Sequence, residues 1–130
     1  MYRATTREIE VTVTPRYDPD RSTPADDHYF WTYTIVIANR GGGTVQLKTR
    51  HWRITDAAGS VQEVKGPGVV GEEPILEPGQ SFEYTSGVPL TTPSGFMTGS
   101  YGMIGPDGER FAVEIPTFSL DAPHTRRTLN

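Results

Sequence analysis

Nowhere in this chain does a 3.6-residue apolar period run for three turns, and that absence constrains the fold more than any motif does. In its place stand short segments rich in Val, Ile, Thr, Tyr and Phe, cut apart by 14 glycines and 11 prolines. Such punctuation is the signature of β-strands separated by turns. Ile9, Val11 and Val13 alternate with Glu10, Thr12 and Thr14, which reads as a half-buried first strand. The acidic, proline-containing stretch from Asp18 to Asp27 is a loop. A long second strand spans Tyr29 to Ala38; the face Tyr29, Trp31, Tyr33, Ile35 and Ile37 is bulkier than its opposite and belongs in the core.

After the turn Asn39–Gly43, a third strand starts at Thr44. Val45 and Leu47 have one parity, Trp52 and Ile54 the other, so strict alternation cannot bury all four. A bulge between Lys48 and His51 would repair the phase; a strand crossing a sandwich edge is the plainer reading. Asp56–Gly59 marks a hairpin turn into a short strand, Ser60 to Val64. Lys65 to Pro78 reads as irregular, Gln80 to Ser86 as a strand, and Gly87 to Gly95 as a second Pro- and Gly-rich connection. Strands from Phe96 to Met103 and from Glu109 to about Phe118 flank the turn Gly105–Gly108. The expected fold is an all-β, fibronectin type III/immunoglobulin-like β-sandwich of about seven strands in two antiparallel sheets. It forms one domain over residues 1–120, followed by a flexible tail over 121–130.

A domain of this length buries roughly two-thirds of its unfolded surface and needs no staple. There is no cysteine, which removes disulfides, thiolate metal sites and thiol nucleophiles. The charged N-terminus lacks an apolar signal region and no apolar run reaches the roughly 20 residues of a membrane span. These features give the expectation of a soluble, cytoplasmic protein without a membrane partner. With acids outnumbering bases 16 to 12, nucleic acid is not an expected partner either.

Several pieces occur in order through the middle of the chain: Arg50-His51-Trp52-Arg53-Ile54-Thr55-Asp56, Gly66-Pro67-Gly68-Val69-Val70-Gly71, Phe82-Glu83-Tyr84-Thr85-Ser86-Gly87, and Pro89-Leu90-Thr91-Thr92-Pro93-Ser94-Gly95 running on to Met97, Gly99, Tyr101 and Met103. Together with Pro74, Leu76, Pro78 and Gly79 this set closely resembles the bacterial ApaG (CorD) family. The resemblance implies a fibronectin type III-like sandwich in a cytoplasmic bacterial protein, associated with cobalt tolerance and magnesium handling. Related domains in eukaryotic F-box proteins imply protein binding as the role. It carries over no catalytic residues.

The residues themselves offer one sharp pattern, Gly66-x-Gly68-x-x-Gly71. A dinucleotide site would need a helix after it, which Glu72-Glu73-Pro74 and Pro78-Gly79 break. A weaker reading keeps the glycine loop as an anion nest, with Lys65, Arg50, His51 and Arg53 around it. The loop would share one end of the sandwich with Arg40–Gly43 and Gly105–Gly108. The plainer alternative is that the glycines permit tight turns while Val69 and Val70 cap the core. No metal site is expected from His28, His51 and His124, because too few ligands converge. Ser86 and Ser94 lack a nucleophile-elbow context, and His51 meets either only if the fold joins them. The expectation is therefore no enzyme, no cofactor and no catalytic set. The chain reads as a binding module, monomer or homodimer, for an unidentified protein partner. The alternative ligand is a phosphate-containing small molecule, such as a diadenosine polyphosphate, at Gly66–Gly71 with candidate contacts Arg50, His51, Arg53 and Lys65.

Overall fold

Backbone pairing turns the alternating segments into nine strands, seen in a computed structural model that describes residues 1–123. They are β1 (Tyr2–Thr6), β2 (Ile9–Tyr17), β3 (Tyr29–Asn39), β4 (Val45–Asp56), β5 (Val61–Pro67), β6 (Ile75–Leu76), β7 (Ser81–Leu90), β8 (Ser94–Ile104) and β9 (Arg110–Asp121). Two antiparallel sheets, ordered β1-β2-β3-β7 and β5-β4-β8-β9, face each other; β6 pairs with the start of β4, on the edge that β5 occupies further along. This is the expected sandwich. The seven expected strands are β2, β3, β4, β5, β7, β8 and β9; β1 and β6 are additions at sheet edges.

The additions carried weak signals. Tyr2, Ala4 and Thr6 are only half-buried, and the turn into β2 is Arg7-Glu8, both with positive φ (47° and 66°) yet neither Gly nor Asn. The second Pro- and Gly-rich connection is mostly strand: β7 continues through Gly87, Val88 and Pro89 to Leu90, leaving only Thr91–Pro93 as the turn. Pairing survives there because Gly87 lies opposite Thr32 with the Phe30 ring packed over it, where a side chain would not fit. The chain also stays folded past residue 120. Asp121 pairs with Ser94 and accepts the Trp31 indole N–H through its carbonyl; Ala122 is buried and donates its N–H to Pro93. The remainder of the expected tail, 124–130, lies outside the described residues.

Two bulges reconcile alternation with burial. Pairing of β4 with β8 slips between Leu47 and Thr49, leaving Lys48 as the extra residue. Val45, Leu47, Trp52 and Ile54 are all buried as a result, so the bulge and not an edge crossing accounts for the phase change. A second slip, opposite Met97–Gly99, lies within Ile115–Phe118 of β9 and moves its buried face from Val113 and Ile115 to Phe118 and Leu120. Pro116, which has no N–H to offer a ladder, falls in it.

The two sides of the sandwich differ. Along β1 and β9 the edges are tied together: the Tyr2 hydroxyl bonds Ser119 Oγ at 2.8 Å, Thr6 Oγ1 accepts from the Glu114 amide at 3.2 Å, and Arg7 pairs with Glu109 at 3.3 Å. Along β5 and β7 the sheets stand apart. The opening between them is a cleft.

Candidate functional site

The β4 bulge decides what enters this cleft. Beyond Lys48, side chains of even number point inward, so Arg50 shares its face with Trp52 and Ile54 and lies across the ladder from buried Tyr101. Trp52, Ile54, Val64, Val69, Val88 and Met97 supply apolar lining to a cleft of about 390 Å³, while Tyr33, Ser86 and Arg50 bring polar groups. Among the described lining residues Arg50 carries the only charge. Its Nη1 donates to the carbonyls of Pro67 (2.8 Å) and Gly68 (3.0 Å). No carboxylate pairs with it among the described residues.

Three tyrosines stand behind the guanidinium. The hydroxyls of Tyr84 and Tyr101 are hydrogen-bonded to each other. Burial pushes the Tyr101 phenol well above its ordinary range, and Tyr84 and Tyr33 rise for the same reason. A hydrogen bond from Ser86 and the positive charge of Arg50 partly offset the rise at Tyr33. All three are neutral donors at physiological pH.

The remaining outward positions of β4 and β5 form a different surface. His51 Nε2 lies 3.1 Å from Glu63 Oε2, Arg53 pairs with the same carboxylate at 3.9 Å, and Lys65 is the ladder partner of His51. The hydrogen bond with His51, aided by Lys65 and Arg53, holds the Glu63 carboxyl below its ordinary value. The expected contact set is thus divided: Arg50 and Gly71 line the cleft, with Gly66 and Gly68 packed against the Arg50 guanidinium, whereas His51, Arg53 and Lys65 do not line it; His51 and Lys65 meet Arg50 and Gly66 at a separate shallow depression. Ser86 lines the cleft, so the fold does not bring it to His51. Among the described residues no group of three or more metal-ligating side chains converges.

Edge geometry adds to the cleft. In an antiparallel ladder, both main-chain polar groups of a residue point to the same side. Asn39 N–H donates to Gln80 O, while Arg40 N–H and Phe30 O are bonded on the β2 side, so β7 turns its even-numbered residues toward β3. Pro89, lacking an N–H, fits the outward set. Glu83, Thr85 and Gly87 consequently present main-chain N–H and C=O groups to the open side, with no partner among the described residues.

A family model described as the ApaG domain matches residues 19–105, a span that holds every residue of the cleft and both strands flanking it. The chain belongs to the ApaG family. A curated relative named Protein ApaG from Bradyrhizobium diazoefficiens is 65% identical over 130 residues, covering all of both chains. Another Protein ApaG, from Paramagnetospirillum magneticum, is 60% identical over the same length. Among solved structures, an ApaA protein from Bordetella pertussis superposes with a TM-score of 0.88 at 48% identity, over 92% of this chain and 97% of that one.

Within this ApaG fold the glycine motif is explained by geometry. A Cβ on Gly66 would sit 3.1 Å from the Arg50 guanidinium, one on Gly68 2.3 Å from the Glu72 carbonyl, and Gly71 has φ 81°. Val69 and Glu72 exchange both hydrogen bonds around Val70-Gly71, and Gly68 N–H donates to Lys48 O. The donors a nest would need at Gly68 and Val69 are spent internally, and the loop turns carbonyls, not N–H groups, toward Arg50. Nor does it join the glycine-rich end of the sandwich. There Gly41–Gly43 and Pro106 meet the Arg7-Glu8 turn instead, because Gly68 is tied to the middle of β4 at Lys48. Val69 caps the core as the plainer reading has it; Val70, 55% exposed, does not. Sequence reasoning missed Tyr33, Trp52 and Ser86 as site residues. The available signal was the parity of Arg50, a charge in phase with Trp52 and Ile54.

Proposed function

We propose that this chain is a non-enzymatic binding module that works in the cytoplasm by docking a protein partner on its open β5–β7 side. The observation that carries the reading is the β7 edge, whose unpaired groups at Glu83, Thr85 and Gly87 run beside a largely apolar cleft. An extended segment of a partner can add to such an edge as a further strand, its alternate side chains entering the pockets behind it. The edge is long, but it is guarded by Glu83 and Pro89, which discourage indiscriminate pairing. On this reading the family's association with cobalt tolerance and magnesium handling runs through the partner, without a metal held by the chain. A phosphate or nucleotide seated on Gly66–Gly71 has less support, since the Gly68 and Val69 N–H groups already donate to Lys48 and Glu72.

The test is affinity capture from the cytoplasmic fraction with the wild-type chain and with Glu83→Pro, which removes an outward N–H while sparing the β3 ladder. Recovery of one reproducible partner by the wild type, lost in a folded Glu83→Pro chain, supports the reading. Equal recovery by both moves the interface elsewhere. A second copy of the chain as the partner would emerge as a dimer in light scattering.

A further inference from the structure

We propose that the cleft between β4, β5 and β7 is a receptor for a small organic acid: one carboxylate on an apolar body. The inference rests on the cleft's lining and holds whether or not β7 takes a partner strand. The chain carries a formal charge of −4, yet the single charged side chain among the described residues lining this cleft is a cation. Arg50 is half-buried, without a carboxylate partner, and commits only Nη1 to the Pro67 and Gly68 carbonyls. Its Nε and Nη2 have no partner among the described residues, and that edge of a guanidinium is a fork that receives a carboxylate side-on. Gly66 leaves the space that the guanidinium occupies, since a side chain there would collide with it. The hydroxyls of Tyr33 and Ser86 line the same space; Ser86 donates to Tyr33, which leaves the Tyr33 O–H to donate.

The single charge selects a monoanion over a phosphate dianion, which a pair of cations or a run of free N–H groups would suit better. The rest of the lining selects an apolar body. Trp52, in edge-to-face contact with Tyr33 at a ring-centroid separation of 5.5 Å, forms one wall with Ile54; Val64, Val69, Val88 and Met97 complete it. The volume lies within the roughly 300–1,000 Å³ of small-molecule sites. A cationic ligand would find no counter-charge there, and a plain inorganic anion would leave the apolar wall in water.

The experiment titrates the chain with 3-phenylpropionate and hexanoate, their primary amides, and inorganic phosphate. It follows the Trp52 indole and the Val69–Gly71 amides by two-dimensional NMR. The expected result is saturable shifts with both acids, with the amides and phosphate weaker by roughly tenfold or more, the range set by losing a charge-assisted bidentate contact. Arg50→Met should lose a similar factor. Ser86→Ala, which keeps the Arg50–Gly68 tie, should lose a few-fold. Glu83→Pro should bind the acids as the wild type does, which separates this site from the strand edge. Amides that bind as well as acids, a folded Arg50→Met chain with undiminished affinity, or no shift at millimolar acid would each overturn the proposal. So would binding confined to a capped Leu-Val-Leu peptide with a free C-terminus, which would assign the cleft to a chain end instead. Should Arg50→Met fail to fold, the acid–amide ratio in the wild type and the Ser86→Ala loss decide.

Discussion

Val70 sits at φ 43° in the two-residue turn between Val69 and Glu72, a left-handed conformation that crowds a β-branched side chain. Its side chain recovers little, because it is more than half exposed. Replacing it with Asn, which tolerates that backbone, should stabilise the domain by about 1 kcal/mol, the cost of left-handed backbone in an L-residue. Urea unfolding reads this directly; an unchanged or lowered midpoint would show that Val70 contributes packing the turn depends on. The tyrosine cluster makes a second prediction. Tyr33, Tyr84 and Tyr101 have phenols raised above the ordinary value of 10.0, so the folded state holds protons that the unfolded chain releases. Their stabilising share is intact below pH 10 and is lost as pH rises beyond it. The urea midpoint should therefore fall steeply above about pH 10. The double variant Tyr84→Phe/Tyr101→Phe, which removes both partners of one buried hydrogen bond, should flatten that fall with little cost at neutral pH.

At the level of strands, Lys48 is the residue that the β4–β8 register leaves out. Deleting it would leave Thr49–Asp56 in strict alternation with Val45 and Leu47, so that Trp52 and Ile54 keep facing the core. The deletion variant should keep native-like NMR dispersion, losing the slip in the β4–β8 ladder, the Gly68 bond to the Lys48 carbonyl and the pair with Glu73. Lys48→Ala should fold, since it keeps the bulge and loses only the exposed pair with Glu73, worth up to about 1 kcal/mol. Here the sequence was half legible: the parity conflict among Val45, Leu47, Trp52 and Ile54 was visible, but an edge crossing was the plainer reading of it and the pairing with β8 was needed to show the bulge. The one in β9 was not announced, because Phe118 and Leu120 can be read as the loose end of a strand unless their partners on β8 are known. The same gap in information hid the end of the domain. Asp121 and Ala122 look like the start of a tail until Ser94, Pro93 and the Trp31 indole are found beside them.

Across the whole molecule, one side of the sandwich is tied and the other is open. The tie runs through Tyr2, Thr6 and Arg7, all on or beside a strand too weakly patterned to be expected. Amide exchange should report the asymmetry: Glu83, Thr85 and Gly87 on the open edge should exchange far faster than Phe82, Tyr84, Ser86 and Val88, whose groups face β3. Uniform protection along β7 would mean that something in the chain already covers the edge. The candidate site was half visible at this scale. Arg50 and the glycines were singled out together and do meet. His51, Arg53 and Lys65 were grouped with them by proximity along the chain, which ignores that neighbours on a strand face opposite ways.

By itself the sequence determined the all-β sandwich, the core face of β3, the turns at Asp56–Gly59 and Gly105–Gly108, and membership of a family. These follow from local periodicity and turn chemistry, which each segment carries alone. Only the tertiary structure decided which side of the sandwich opens and that Arg50 stands uncompensated in the opening. It also decided that the carbonyls of Pro67 and Gly68 turn toward that arginine. Those are matters of which strand lies across from which, and long-range pairing is set by the packing of both sheets at once.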